Sequence, residues 1–201
     1  MFRAKPRPSI YQNVSSDAVS EEDRVHWDER FAELGVARVG ETGPPPVFAP
    51  FADLFPSEGL ALDIACGLGR ASVWLAKRGM DVLGVDVSCV AIGLARELAR
   101  LSGVTDRCRF VVHDLDDGMP AGPPVNLVLC HKFRDPDLDM KLMDRLAPGG
   151  LLAVAALSEV DAGPGRFRGR PGELSEAFAS LEVLAEDEAD GVAWLIGRKD
   201  G

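Results

Sequence analysis

The sequence predicts an α/β fold, a doubly wound and mostly parallel sheet with helices on both faces. Three observations carry this. From Gly59 onward, short apolar runs alternate with amphipathic helical runs, and that alternation defines βαβ units. The strands are almost continuously apolar, as parallel strands covered on both faces must be. Two close glycines, Gly67 and Gly69, stand between the first strand and the next helix, where such a sheet receives its ligand.

In chain order, residues 1–18 are polar and interrupted by proline, so a flexible N-terminal tail is expected there. Val19–Gly35 reads as a helix. Ser20 can cap it, Glu21, Glu22 and Asp23 suit its positive end, and Gly35 can stop it. Val25, Phe31 and Leu34 fall along one face, with Trp27 and Asp28 beside it. A Gly/Pro-rich loop follows, then a short helix near Val47–Leu54, so residues 19–57 form a helical lid ahead of a 58–201 domain. In that domain "LALDIA" is a strand, "RASVWLAKRG" a helix ended by Gly79, "MDVLGVDVS" a strand and "CVAIGLARELARLSG" a helix. "RCRFVVHDL" and "VNLVLCHKF" are strands, "LDMKLMDRLAPGG" is a helix stopped by Pro148, and "LLAVAALS" is a strand. "SLEVLAEDE" and "VAWLIGRK" make a final pair joined at "ADG".

Composition excludes several function classes. The net charge is −10. Nucleic-acid binders present a basic patch because phosphate contacts dominate their affinity, so no nucleic-acid or anionic-membrane partner is expected. No apolar run reaches membrane-spanning length. The start, "MFRAKPRPSIYQ", has no apolar core and does not read as a signal peptide. The cysteines Cys66, Cys89, Cys108 and Cys130 are singly spaced, with no pattern for zinc, so no metal is expected and the setting reads as reducing and cytoplasmic. The oligomeric state is open between monomer and homodimer.

The glycine loop specifies the ligand more closely. Lacking Cβ, Gly67 and Gly69 let the backbone turn sharply and approach a small molecule. A dinucleotide enzyme would place pyrophosphate here, with a third glycine where this chain has Ser72. Asp63, just before the loop, would repel pyrophosphate but suits an ammonium; it could equally bond the loop. Asp86 ends the second strand, where a carboxylate can accept from both ribose hydroxyls. A cationic amine at Asp63, a ribose at Asp86 and an adenine beyond describe S-adenosylmethionine.

At this point the sequence resembles the class I S-adenosylmethionine-dependent methyltransferases. "LDIACGLGR" is similar to their motif I, "GVDVS" to the acidic motif after the second strand, and "VVHDLDDGMP" to the third-strand segment. The resemblance implies a Rossmann-like, seven-stranded sheet whose last strand runs antiparallel. It implies cofactor contacts from Asp63, Ala65, Cys66, Gly67, Gly69, Asp86 and Val87, from Asp114 and Leu115 at the adenine, and from Cys130 near the reacting methyl. "DLDD" could also be a plain polar turn. "VHWDERF" resembles an element preceding the core in tellurite-resistance and thiopurine-like methyltransferases. By that likeness Trp27 covers the cofactor and Arg30 reaches a carboxylate; an ordinary amphipathic helix is the alternative.

The "(N/D/S)PP(Y/F)" signature of amino-group methylation and a Pro-Cys nucleophile are both absent. The expected acceptor is therefore a small molecule bearing O, N or S. His131, just past the fourth strand, is the candidate base, because an imidazole can take a proton near neutral pH. Arg166, Arg168 and Arg170 in the 158–174 linker could form a lid for an anionic substrate or a solvated loop. An NAD(P)-binding oxidoreductase and a non-catalytic S-adenosylmethionine-binding module are the rival functions.

Overall fold

The computed structural model describes residues 16–165 and 168–201. The chain opens on helix α1 (Ser16–Leu34) and crosses a kinked 3-10 segment at Pro46–Leu54. It then alternates: β1 (Leu60–Ile64), α2 (Arg70–Arg78), β2 (Asp81–Asp86), α3 (Cys89–Leu101), β3 (Cys108–Val112) and β4 (Val125–His131). Helix α4 (Asp139–Arg145) leads to β5 (Leu146–Ser158), followed by the two-residue β6 (Arg168–Gly169), α5 (Glu173–Ala177), β7 (Glu182–Ala189) and β8 (Val192–Arg198).

The strand order is β3-β2-β1-β4-β5-β8-β7, with β6 beside the end of β5. Strands β1 to β5 pair in parallel. Strand β8 runs antiparallel to β5 and to β7. The mostly parallel sheet with its reversed last strand is the one expected, and β6 adds a short eighth strand.

Alternation along each strand sorts the core into two layers. Leu62, Ile64, Val128, Cys130, Leu152 and Val154 pack with Leu142, Leu174 and Phe178 on the α4–α5 side. Ala61, Leu127, Leu129, Ala153 and Ala155 pack with Leu75, Phe48 and Phe55 on the opposite side. Trp74 and Trp194 border this second layer, as expected of core tryptophans, and Trp194 meets Phe48 edge-on.

Three local readings change. The expected tail at residues 1–18 lies mostly outside the described residues, and its last three, 16–18, already belong to α1. Helix α1 does not pack through Val25 and Leu34, which are exposed; its inner side is Arg24, Trp27, Asp28 and Phe31. The helix before β5 ends at Arg145, because Pro148 and the two following glycines cannot extend it. Between β3 and β4 the chain forms only one 3-10 turn, Leu115–Asp117, instead of a helix. One side of β2 and β3 is therefore an open groove of about 1160 Å³, lined by Leu60, Leu83, Val111 and Arg145 among others.

Candidate active site

The site forms at the carboxyl ends of β1, β2 and β4, where the strand order reverses. Between β1 and α2, Ala65, Gly67 and Gly69 all have positive φ, at 51°, 51° and 70°. Gly69 is fixed by packing: a Cβ there would lie 2.8 Å from the Ala95 Cβ and 3.0 Å from the Phe110 ring. At Gly67 a Cβ would meet only the edge of the Phe31 ring, at 3.3 Å. Ala65 holds a left-handed conformation that costs a residue with a Cβ roughly 1–2 kcal/mol.

Two buried carboxyls hold this loop. Asp86 is 6% exposed and accepts from the Gly67 N–H at 2.8 Å and the Ser88 N–H at 2.9 Å, one on each oxygen. Asp63 is 3% exposed and accepts from the Ser72 hydroxyl. Burial pushes the Asp63 carboxyl up to about 7, against the bond from Ser72, and the Asp86 charge adds to the rise. Burial also raises Asp86, opposed by the amides of Ser88 and Gly67. Ser72, read in the sequence only as a missing glycine, is thus the partner of Asp63. The Asp63 carboxyl thus bonds the first turn of α2.

Helix α1 lies over the loop. Trp27 is half-buried and stacks on Phe31 with ring centroids 5.8 Å apart, and the Arg30 guanidinium sits 5.6 Å from the Trp27 ring centre. Arg30 is exposed and spread across the indole. Asp28 reaches the start of α3, accepting from the Ser88 hydroxyl and the Val90 N–H. Phe31 and Asp28 were not among the expected site residues. The signal for both lay inside "VHWDERF", one residue past Trp27 and one past Arg30.

Other expected residues divide. Val87 follows Asp86 at the mouth and is half-buried, as is Cys66, whose N–H binds the Val85 carbonyl at 2.9 Å. Asp114 caps the 3-10 turn through the Asp116 N–H at 3.0 Å, as a polar turn would, and Leu115 is buried beside it. The Cys130 side chain is 2% exposed in the α4–α5 core layer, its Sγ faces the Phe133 carbonyl at 3.5 Å, and burial pushes its thiol up to about 12.

His131 ends β4 as expected, but its chemistry differs. Burial pushes its pKa down to about 4, and the neighbouring Lys132 charge adds to the effect. The imidazole is neutral at physiological pH and a weak proton acceptor. Lys132 itself, with φ 63°, is strained and exposed, and its N–H binds the Ala155 carbonyl at 2.7 Å. Beyond it, Arg134 is almost buried and bonds Asp139 through both amino groups, with Glu173 at 3.2 Å. Of the three linker arginines, Arg166 lies outside the described residues. Arg168 is tied to the carbonyls of Ser158 and Gly191, and Arg170 lies 3.6 Å from Glu173. Among the described residues no cluster of His, Cys, Asp or Glu could hold a metal, and no helix is long and apolar enough to cross a membrane.

Asp28, Asp63 and Asp86 thus gather near the glycine loop at the switch point of the sheet. A methyltransferase-domain family model matches residues 61–150. An uncharacterized protein of Synechococcus sp. is 32% identical over 69% of this chain and 33% of its own length. A ubiquinone biosynthesis O-methyltransferase of Sinorhizobium fredii is 36% identical over 51% and 43%, and a ribosomal RNA small subunit methyltransferase C of Chromohalobacter salexigens 28% over 66% and 39%. The chain thus spans less than half the length of these curated relatives. In fold it resembles TehB from Haemophilus influenzae, with TM-score 0.69 at 19% identity over 79% of this chain and 63% of that one. The DhpI–SAH complex gives 0.65 at 20% over 92% and 99%. Residues 61–150 thus match a methyltransferase domain, and the chain shares its fold with solved S-adenosylmethionine-dependent methyltransferases.

Proposed function

We propose that this protein transfers a methyl group from S-adenosylmethionine to a small-molecule O, N or S acceptor in the cytoplasm. The observation that carries the reading is the acid-lined glycine loop. Carboxyls at the ends of β1 and β2, with Asp28 near the start of α3, favour a ligand that is a nucleoside at one end and a cation at the other. The same charges disfavour the pyrophosphate of a dinucleotide, which speaks against an oxidoreductase. When bound, the cofactor supplies a methyl activated by a sulfonium.

In this reading Asp86 accepts from the ribose, Asp114 and Leu115 border the adenine, and Asp63 sets the loop and offsets the cationic tail. Trp27 and Phe31 exclude water from above, so residues 19–57 act as a cover. Transfer to a neutral acceptor loses charge, so placement and desolvation matter more than a proton relay. The neutral His131 fits the acceptor side as a hydrogen-bonding group rather than a strong base. A net charge of −10 supports a small acceptor over ribosomal RNA.

Thermal shift and calorimetry with S-adenosylhomocysteine and with NADH test the cofactor reading. Stabilisation by S-adenosylhomocysteine is expected; stabilisation by NADH alone would overturn it. Single-turnover assays on a metabolite panel and on ribosomal RNA then test the acceptor, and turnover of RNA alone would overturn the small-molecule reading.

A further inference from the structure

A part-buried contact joins the N-terminal helix to the loop by a chain of four hydrogen-bonded residues. Asp28 of α1 accepts the Ser88 hydroxyl at 2.5 Å and the Val90 N–H at 3.2 Å, with the Cys89 thiol at 3.4 Å. Ser88 is fully buried; its own N–H donates to Asp86, and its hydroxyl oxygen accepts from the Ala91 N–H at 3.0 Å. Asp86 takes the Gly67 N–H on its other oxygen. The path from α1 to the glycine loop therefore runs Asp28, Ser88, Asp86, Gly67. Phe31, one turn further along α1, lies close enough that a Cβ added at Gly67 would come within 3.3 Å of its ring.

Ordinary capping does not account for Asp28. Ser88 already caps α3 by accepting from Ala91. Asp28 adds an acceptor from another helix, sixty residues away in sequence, and it fixes the rotamer of a hydroxyl whose backbone N–H holds Asp86. The charged groups facing Asp28 are Arg24 on its own helix, 3.5 Å away, and Asp86 across the contact. Partial burial opposes ionisation of Asp28, but the bonds from Ser88, Val90 and Cys89, with Arg24, outweigh it and hold the carboxyl below its usual range.

We propose that Asp28 is a positioning residue for Asp86, so that seating of α1 and readiness of the ribose-holding carboxylate are one event. The functional part of this rests on the cofactor reading above; the structural part does not. Without Asp28, the Ser88 hydroxyl and the Val90 N–H lose their acceptor, and the start of α3, whose Ser88 N–H holds Asp86, loses its tie to α1.

The test uses the full chain and the variants Asp28→Ala, Asp28→Asn, Ser88→Ala and the Asp28→Ala/Ser88→Ala double. Calorimetry with S-adenosylhomocysteine is expected to show about tenfold weaker binding for Asp28→Ala, the size of a lost charged hydrogen bond. Asp28→Asn keeps an acceptor oxygen and should stay within about threefold of wild type. The double variant should bind no more than about twofold worse than the weaker single, because residues in one network are non-additive. Additive losses, or an Asp28→Ala affinity within twofold of wild type, would overturn the proposal. Amide hydrogen exchange of the ligand-free protein separates this from the cofactor reading. Asp28→Ala, or Ser88→Ala if the first does not fold, should speed exchange at Gly67 and leave β4 unchanged. Unchanged exchange at Gly67 would overturn the proposal. Wild-type protein that takes up no S-adenosylhomocysteine would instead defeat the cofactor reading alone.

Discussion

At the end of β1 the chain is fixed by its own backbone: three residues of positive φ, a glycine wedged against Ala95 and Phe110, and two buried carboxyls taking amide and hydroxyl protons. At the end of β4, its neighbour in the sheet, the chain is fixed by long side chains instead. Arg134 ties the loop to Asp139 and Glu173, and strain is concentrated at Lys132. The first arrangement suits a ligand that never changes. The second can be altered side chain by side chain without disturbing the sheet, which suits a position that decides the acceptor.

Substitutions at the two ends should fail in different ways. The largest effect is expected for Gly69→Ala, which adds left-handed strain to a steric clash. About 3–4 kcal/mol of stability should be lost in urea unfolding, against about 1–2 kcal/mol for Gly67→Ala, where the Phe31 ring can move. Equal losses at the two glycines would mean that packing does not distinguish them.

Arg134→Ala comes next. It leaves Asp139 without its cation and Glu173 with Arg170 alone, and the same unfolding measurement should register about 2–3 kcal/mol, discounted for their partial exposure. S-adenosylhomocysteine affinity should change by less than about twofold, since Arg134 bonds Asp139 and Glu173 and not the glycine loop.

The third effect is a pH dependence. Burial raises Asp63 from 3.8 in the unfolded chain to about 7 in the folded one. Its contribution is complete below pH 3.8 and is lost as pH rises toward 7, because the unfolded chain ionises first. Within that window stability should fall with pH by up to about 1.4 kcal/mol per unit from this group. Urea midpoints of Asp63→Asn should show a flatter slope; an unchanged slope would assign the dependence elsewhere. The smallest effect is at Lys132→Gly, where relief of strain should stabilise the protein by under about 1 kcal/mol in thermal unfolding.

These contrasts also explain what was legible in the sequence. The succession of strands and helices, the loop glycines and the placing of Asp86 follow from local patterns: apolar periodicity, punctuation by glycine, and an acid at a strand end; the reversed last strand comes from the family resemblance. What escaped was set by distance. Nothing in residues 24–31 announces that Asp28 will meet Ser88, or that Phe31 and not Leu34 faces inward. Cys130 and His131 were rightly placed on β4, but the alternation of the strand sends the Cys130 side chain into the far core layer, and burial takes from His131 the basicity its residue type promises. The left-handed turns at Ala65 and Lys132 have no sequence signal, since neither is glycine, asparagine or aspartate.

The single 3-10 turn between β3 and β4 leaves the β3 wing of the sheet clad on one side only. A wing supported by one layer opens at lower free energy than the β1–β4–β5 centre, which is sandwiched. Asp114 and Leu115 hang from the end of that wing. A ligand gripping them would therefore stiffen the most loosely supported edge of the molecule, and slowed amide exchange along β3 would record its arrival.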